Sequence, residues 1–98
     1  MSDGYVYVMA MKDGPIKIGI SIDPTRRLDQ VRAQTVGEIG LVAQWRHGSS
    51  HAVEQAAHKI LADRRAYGEW FSVDVYTAFD AVAEIAAKGA RLIHAAPT

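Results

Sequence analysis

The sequence predicts an α+β domain: a small, mainly antiparallel three-stranded sheet flanked by helices. Three observations carry that prediction. Two β-like runs enclose a tight turn near the start of the chain, one helix-period apolar pattern occupies its middle, and the elements follow the order β-β-α-β-α-(β)-α.

From Tyr5 to Met11 the residues are β-branched and aromatic, and Pro15 to Ile20 repeats that character. Lys12-Asp13-Gly14 supplies turn chemistry between them, so the pair reads as an antiparallel hairpin. Asp23 precedes Pro24, the pairing of an N-cap with proline at the first helical position, and Leu28 and Val31 recur at helical spacing; a helix is expected over Pro24 to Gln34. Gly37 and Gly40 break the chain before "LVAQW", whose apolar density predicts a third, well-buried strand with Trp45 in the core. Gly48-Ser49-Ser50 ends it and offers caps for a helix starting near Ser50. In that helix Val53, Ala56, Ala57, Ile60 and Leu61 follow the i, i+3, i+4, i+7, i+8 template, so this face is expected to pack on the sheet. The run "EWFSV", bounded by Gly68 and Asp74, is too short for a helix and reads as a short strand or extended segment. Asp74 is expected to cap a last helix with Val75, Phe79, Val82 and Ala86 on one face, Gly89 near its end and a tail from Ala90 to Thr98.

The 98 residues suit one domain with one core, about 5–79, followed by the 90–98 tail. Absence of cysteine removes disulfides and thiolate metal sites. No leader and no apolar run of roughly 18 residues is visible, so a soluble, cytoplasmic protein with no membrane partner is expected. Eleven basic residues balance eleven acidic ones. Attraction to a nucleic acid must then come from a local patch, and tight non-specific DNA binding is not expected. The pairs Arg26-Arg27 and Arg64-Arg65 are such basic clusters, although paired arginines on helices commonly form a solvated face.

Alternation on the first strand puts Tyr5, Tyr7 and Met9 on one face and Val6, Val8 and Ala10 on the other. Taken alone, the tyrosines suit packing with a wetted hydroxyl, and Lys17 suits a solvent-facing edge position. In combination they resemble a family. "VYV" at Val6 to Val8 and "KIG" at Lys17 to Gly19, joined by a hairpin and followed by "RRL" on a helix, resemble the GIY-YIG endonuclease superfamily, in particular its compact phage-type branch with a KIG second motif. Glu54 followed by His58, and "GEWF" at Gly68 to Phe71, extend the resemblance over roughly Tyr5 to Phe79.

The resemblance implies a metal-dependent endonuclease that cuts a DNA phosphodiester with one divalent ion, Mg²⁺ or Mn²⁺, per active site. It matches Tyr7 to the tyrosine of the first motif, Arg27 to the arginine of the first helix and Glu54 to the metal-binding glutamate; Lys17 stands where the second motif usually has tyrosine. Tyr5, Gly19, Arg26 and His58 are the accompanying candidates for substrate binding. The chain departs from the pattern with Tyr5 at the first motif's glycine position, with Val31 where some members carry histidine, and in lacking a counterpart of a late asparagine.

These residues suit those roles chemically. Arg27 offers two parallel donors to the charge that gathers on a phosphodiester under attack, and one carboxylate such as Glu54 suffices for an ion that retains several waters. A phenol with an ordinary pKa of about 10 is a poor base at neutral pH, so Lys17 is expected either to lower the pKa of Tyr7 or to relay its proton. Gly19 reads either as room for the close approach of a phosphate or neighbouring element, or as a bend. His58 is expected to hydrogen-bond Glu54 or touch a phosphate, and Glu69 to pair with an arginine or cap, with a metal-linked or substrate role as its second reading. The alternative functions are a catalytically weak nucleic-acid-binding or interaction module on the same fold and a histidine-based metalloenzyme whose His51, Glu54 and His58 hold zinc or copper.

Overall fold

In the hairpin, β1 (Gly4–Met11) and β2 (Ile16–Ser21) pair antiparallel, with Tyr7 opposite Gly19 and Met9 opposite Lys17. The turn closes through the Gly14 N–H on the Met11 carbonyl, and Asp13 takes the left-handed conformation, which an Asx residue tolerates. The computed structural model describes residues 4–95, with side chains described through residue 87.

The remaining elements are α1 (Pro24–Gln34), β3 (Ile39–His47), α2 (Ser50–Ile60), a 3₁₀ turn (Ala62–Arg64), β4 (Arg65–Tyr67), β5 (Trp70–Phe71) and α3 (Val75–Ala95). The caps of α1 and α3 form as their residue types dictate: Asp23 accepts from the Arg26 N–H at 3.2 Å, and Asp74 from the Thr77 N–H at 2.7 Å. The Thr77 bonds also hold the Asp74 carboxyl below its ordinary pKa. Ser49 is the N-cap residue of α2 but makes no side-chain cap bond; its N–H is instead taken by His47 Nδ1 at 2.8 Å.

One mixed-length antiparallel sheet runs in the order β3-β1-β2-β5-β4. The α+β class is therefore as expected, but the sheet has five strands and not three. The additional pairing joins β4, whose three residues are all exposed, to β5. The period-two alternation of β1 sorts the two faces. Val6, Val8, Ile16, Ile18 and Phe71 pack with Val53, Ala57, Ala78 and Val82 of α2 and α3, while Tyr7, Met9 and Trp70 pack with Leu28 and Val31 of α1. The result is three layers, with α1 on one side of the sheet and α2 and α3 on the other.

Four expectations are corrected here. "LVAQW" lies in an edge strand with alternate residues exposed, because β1 pairs with it on one side and nothing described pairs on the other; Trp45 is half-buried, 5.1 Å from the Phe79 ring. Ile60 fits the helical template yet is 60% exposed, since α2 ends there and the chain turns into the 3₁₀ segment. Phe79 is 41% exposed, and Ala78 takes the buried place beside Val82. The last helix passes through Gly89 to Ala95, so most of the expected tail is helical; residues 96–98 lie outside the described residues.

Candidate functional site

The Tyr7 side chain lies on the α1 face and crosses over its cross-strand partner, Gly19. A Cβ built on Gly19 would stand 2.5 Å from Tyr7 Oη, 2.7 Å from Tyr7 Cζ and 2.9 Å from Glu69 Oε1, all closer than van der Waals contact permits. Of the two sequence readings of Gly19, close approach of a neighbouring group therefore holds: the missing side chain is the space into which the Tyr7 ring and the Glu69 carboxylate fit. Tyr7 itself is 0% exposed, walled by Met9, Leu28 and Trp70 among others.

Beyond Lys17 the outer edge of β2 loses its strand partner, because β5 pairs only with Ile16 and Lys17. At the next residue the edge is handed to other groups. Ile18 donates its N–H to the Glu69 carbonyl at 3.1 Å and accepts from His58 Nε2 at 2.8 Å. α2, packed on the opposite face of the sheet, thus reaches the vacated edge through His58, and Glu54 lies one turn earlier on the same helix, where its charge acts on the Tyr7 hydroxyl.

Burial, then the nearby Glu69 charge, push the Tyr7 phenol up to about 12, with a smaller push from Glu54; the Arg27 guanidinium beside it acts in the opposite direction. Arg27 reaches the vicinity of the oxygen without satisfying it, since Tyr7 Oη has no hydrogen-bond partner and Arg27 Nε donates to Gln30 at 3.0 Å. Burial also raises the Glu54 pKa, helped by Glu69 and offset by a 3.1 Å bond from Gln55 and by His58. Glu54 Oε2 is likewise buried with no partner.

Tyr7, Arg27, Glu54 and Glu69 accordingly act on one another electrostatically. Lys17 faces the same side as Tyr7, as expected, but its ammonium bonds Glu69 Oε1 at 3.0 Å and lies 5.5 Å from the centre of the Trp70 ring. The cation that favours the Tyr7 phenolate is Arg27, and the net shift is upward; lowering by Lys17 is thereby corrected. His58 is also corrected as a phosphate contact, because its ring is buried, lies 5.0 Å from Phe71 and spends its Nε2 proton on the backbone. Tyr5 is half-buried on the Tyr7 face, opposite Ser21. Arg26 and Arg27 border a hollow of about 250 Å³ with Ser21, Asp23 and Gln30. A larger hollow of about 850 Å³ lies at the turn end of the hairpin beside Lys12, Glu38 and Arg32, away from these groups.

Glu69 is the residue that sequence reasoning placed mainly in a structural role. Its only sequence signal is its position beside Trp70-Phe71, and what brings it to the site is the long-range backbone bond to Ile18. Among the described residues no set of three or more His, Cys, Asp or Glu side chains gathers for a metal. The zinc reading fails on the same geometry: His51 is exposed, 3.9 Å from Glu54, and His58 is turned to Ile18. A hard divalent ion is a different matter, since it needs only one or two carboxylates, and the orphaned, buried Glu54 Oε2 is a donor that fits one. Chemically, the site combines a buried hydroxyl and a buried carboxylate, whose charges act more strongly there than in water, with a half-buried guanidinium and a partly exposed second carboxylate.

No helix among the described residues is long and apolar enough to cross a membrane. Comparison with curated proteins and with solved structures yields no match. A family model does match, over residues 4–86, which takes in β1 through most of α3 and every group described above. The chain therefore belongs to the T5orf172 domain family, a phage-associated domain found in nuclease-like proteins.

Proposed function

We propose that the protein is a metal-dependent endonuclease of the GIY-YIG type that hydrolyses DNA phosphodiester bonds by in-line attack of water. The observation that carries this reading is the pair of buried, unpartnered polar atoms, Tyr7 Oη and Glu54 Oε2, beside Arg27. Leaving such groups unpaired costs about 1–3 kcal/mol each, and a fold retains that cost where the groups serve a ligand.

In this reading Glu54 holds one Mg²⁺ or Mn²⁺, and the ion when bound supplies Lewis-acid stabilisation of charge on the phosphate and the departing oxygen. Arg27 leaves Gln30 and presents its guanidinium to the non-bridging oxygens, positioning the phosphate and stabilising its growing charge. Tyr7 first releases its own proton to solvent, and as the phenolate it orients the attacking water and accepts a proton from it; Arg27 lowers the cost of forming the phenolate, and neutralising the Glu54 and Glu69 charges lowers it further. Lys17 holds Glu69 in place rather than acting on the phenol. Arg26 extends the basic patch along the hollow beside Arg27, where a neighbouring phosphate of the DNA is received.

The pKa of about 12 for Tyr7 favours one alternative, a catalytically weak nucleic-acid-binding module on the same fold. One experiment separates the two. Purified protein is incubated with plasmid and single-stranded DNA in Mg²⁺, in Mn²⁺ and in chelator. Cleavage that requires metal and is lost in Arg27→Ala and Glu54→Ala is the expected result. Binding without cleavage in either metal would establish the module instead.

A further inference from the structure

We propose that Glu69 is a second protein ligand of the divalent ion, so that the ion lies between Glu54 and Glu69 and is not held by Glu54 alone. The inference rests on the function proposed above and deepens it, because it adds a ligand from a different element and fixes where the ion enters.

Glu54 lies one turn of α2 before His58, whose ring bonds the Ile18 carbonyl at 2.8 Å, and Glu69, in the segment entering β5, takes the Ile18 N–H on its own carbonyl at 3.1 Å, so the two elements that carry the carboxylates meet on one residue of β2. Two carboxylates brought together across the fold repel one another unless they share a proton or a cation joins them. Lys17 provides part of that compensation, but it bonds Glu69 through Oε1, which leaves Oε2 outside the ion pair. The remaining polar atoms point the same way: Glu54 Oε2 and Tyr7 Oη, on side chains 4% and 0% exposed, have no partner. Glu69 Oε1 and Tyr7 Oη both lie within 2.9 Å of the single point that a Gly19 Cβ would occupy. Glu69 is also the open side of the site, with its side chain 40% exposed against 4% for Glu54, so an ion reaches Glu54 past Glu69. Two carboxylates with the rest of the shell filled by water and phosphate is an ordinary donor set for Mg²⁺ or Mn²⁺.

The test is calorimetric titration of the full chain with MnCl₂, which needs no DNA and no activity. One Mn²⁺ per chain is expected, with Glu69→Gln and Glu54→Gln each weakening binding by about tenfold or more. Glutamine keeps the size of the side chain and an acceptor for Lys17. If Glu69→Gln binds Mn²⁺ like the parent while Glu54→Gln does not, the Glu69 assignment is overturned and the nuclease proposal stands. A parent chain that binds no Mn²⁺ overturns both. If either variant fails to fold, anomalous diffraction from Mn²⁺-soaked crystals of the parent decides: a peak at ligand distance from both carboxylates is expected, and one contacting Glu54 alone overturns the assignment.

Discussion

Replacing Gly19 with alanine tests whether the site is built across that residue. The new methyl would stand 2.5 Å from Tyr7 Oη and 2.7 Å from Cζ, where ordinary contact begins at 3.4 Å. Glu69, at 2.9 Å, is partly exposed and can rotate aside; the Tyr7 ring is fully buried between the sheet and α1 and has nowhere to retreat. Alanine gains roughly 0.5–1 kcal/mol over glycine in a strand through lower chain entropy. Overpacking of a buried ring costs about 1–3 kcal/mol, and overlap of this size against an immobile neighbour falls toward the upper end, so the net effect is destabilising. Urea unfolding should show a loss of about 1–2 kcal/mol, equivalent to a Tm lower by roughly 4–8 °C per kcal/mol. Cleavage should fall by about a hundredfold, since a shift near 1 Å in a reacting group carries such a cost. A Gly19→Ala protein with the parent's midpoint and the parent's cleavage rate would refute the placement of Tyr7 over Gly19.

Two further outcomes follow from the electrostatics. Burial raises the Glu54 pKa above its ordinary 4.5, so between that value and the raised one the folded state holds a proton that the unfolded chain has released. The metal-free protein therefore loses stability as pH rises through this window. Glu54→Gln should flatten the dependence and unfold later than the parent at pH 7, by thermal melting in chelator; a parent that gains stability from pH 4.5 to 7 while the variant does not would contradict it. Lys17→Met should lower stability by no more than about 1 kcal/mol, because the Glu69 pair is partly solvated, and should leave the alkaline limb of the pH-rate profile unmoved. A displaced alkaline limb would restore Lys17 as the group that tunes Tyr7.

Local signals predicted local structure well. Asp23-Pro24 fixed the start of α1, Asp74 marked the start of α3, and the alternation of β1 sorted Val6 and Val8 from Tyr7 and Met9 onto the two faces. What failed was decided by neighbours. Nothing in the apolar density of "LVAQW" distinguishes a central strand from an edge strand, and Arg65 to Tyr67 carries no apolar alternation because β4 is exposed throughout. Ile60 keeps the helical period but is the last residue of α2 and exposed, while Leu61 after it is buried. At the site, the shared side of Tyr7 and Lys17 followed from strand parity, but the partner of Lys17 did not. Glu69 lies 52 residues further along the chain, and only the docking of its segment on the edge of β2 makes it, and not Tyr7, the group that Lys17 holds.

The nuclease account turns on one hydroxyl. Tyr7 Oη is buried and unsatisfied, so Tyr7→Phe should fold at least as stably as the parent, by about 1 kcal/mol in its favour. The decisive measurement is the Mg²⁺-dependent plasmid cleavage rate of Tyr7→Phe against the parent. A loss of about 10²–10⁴-fold in this well-folded variant is the predicted result. A rate within a few-fold of the parent's would contradict the account, because the phenol would then have no part in activating water.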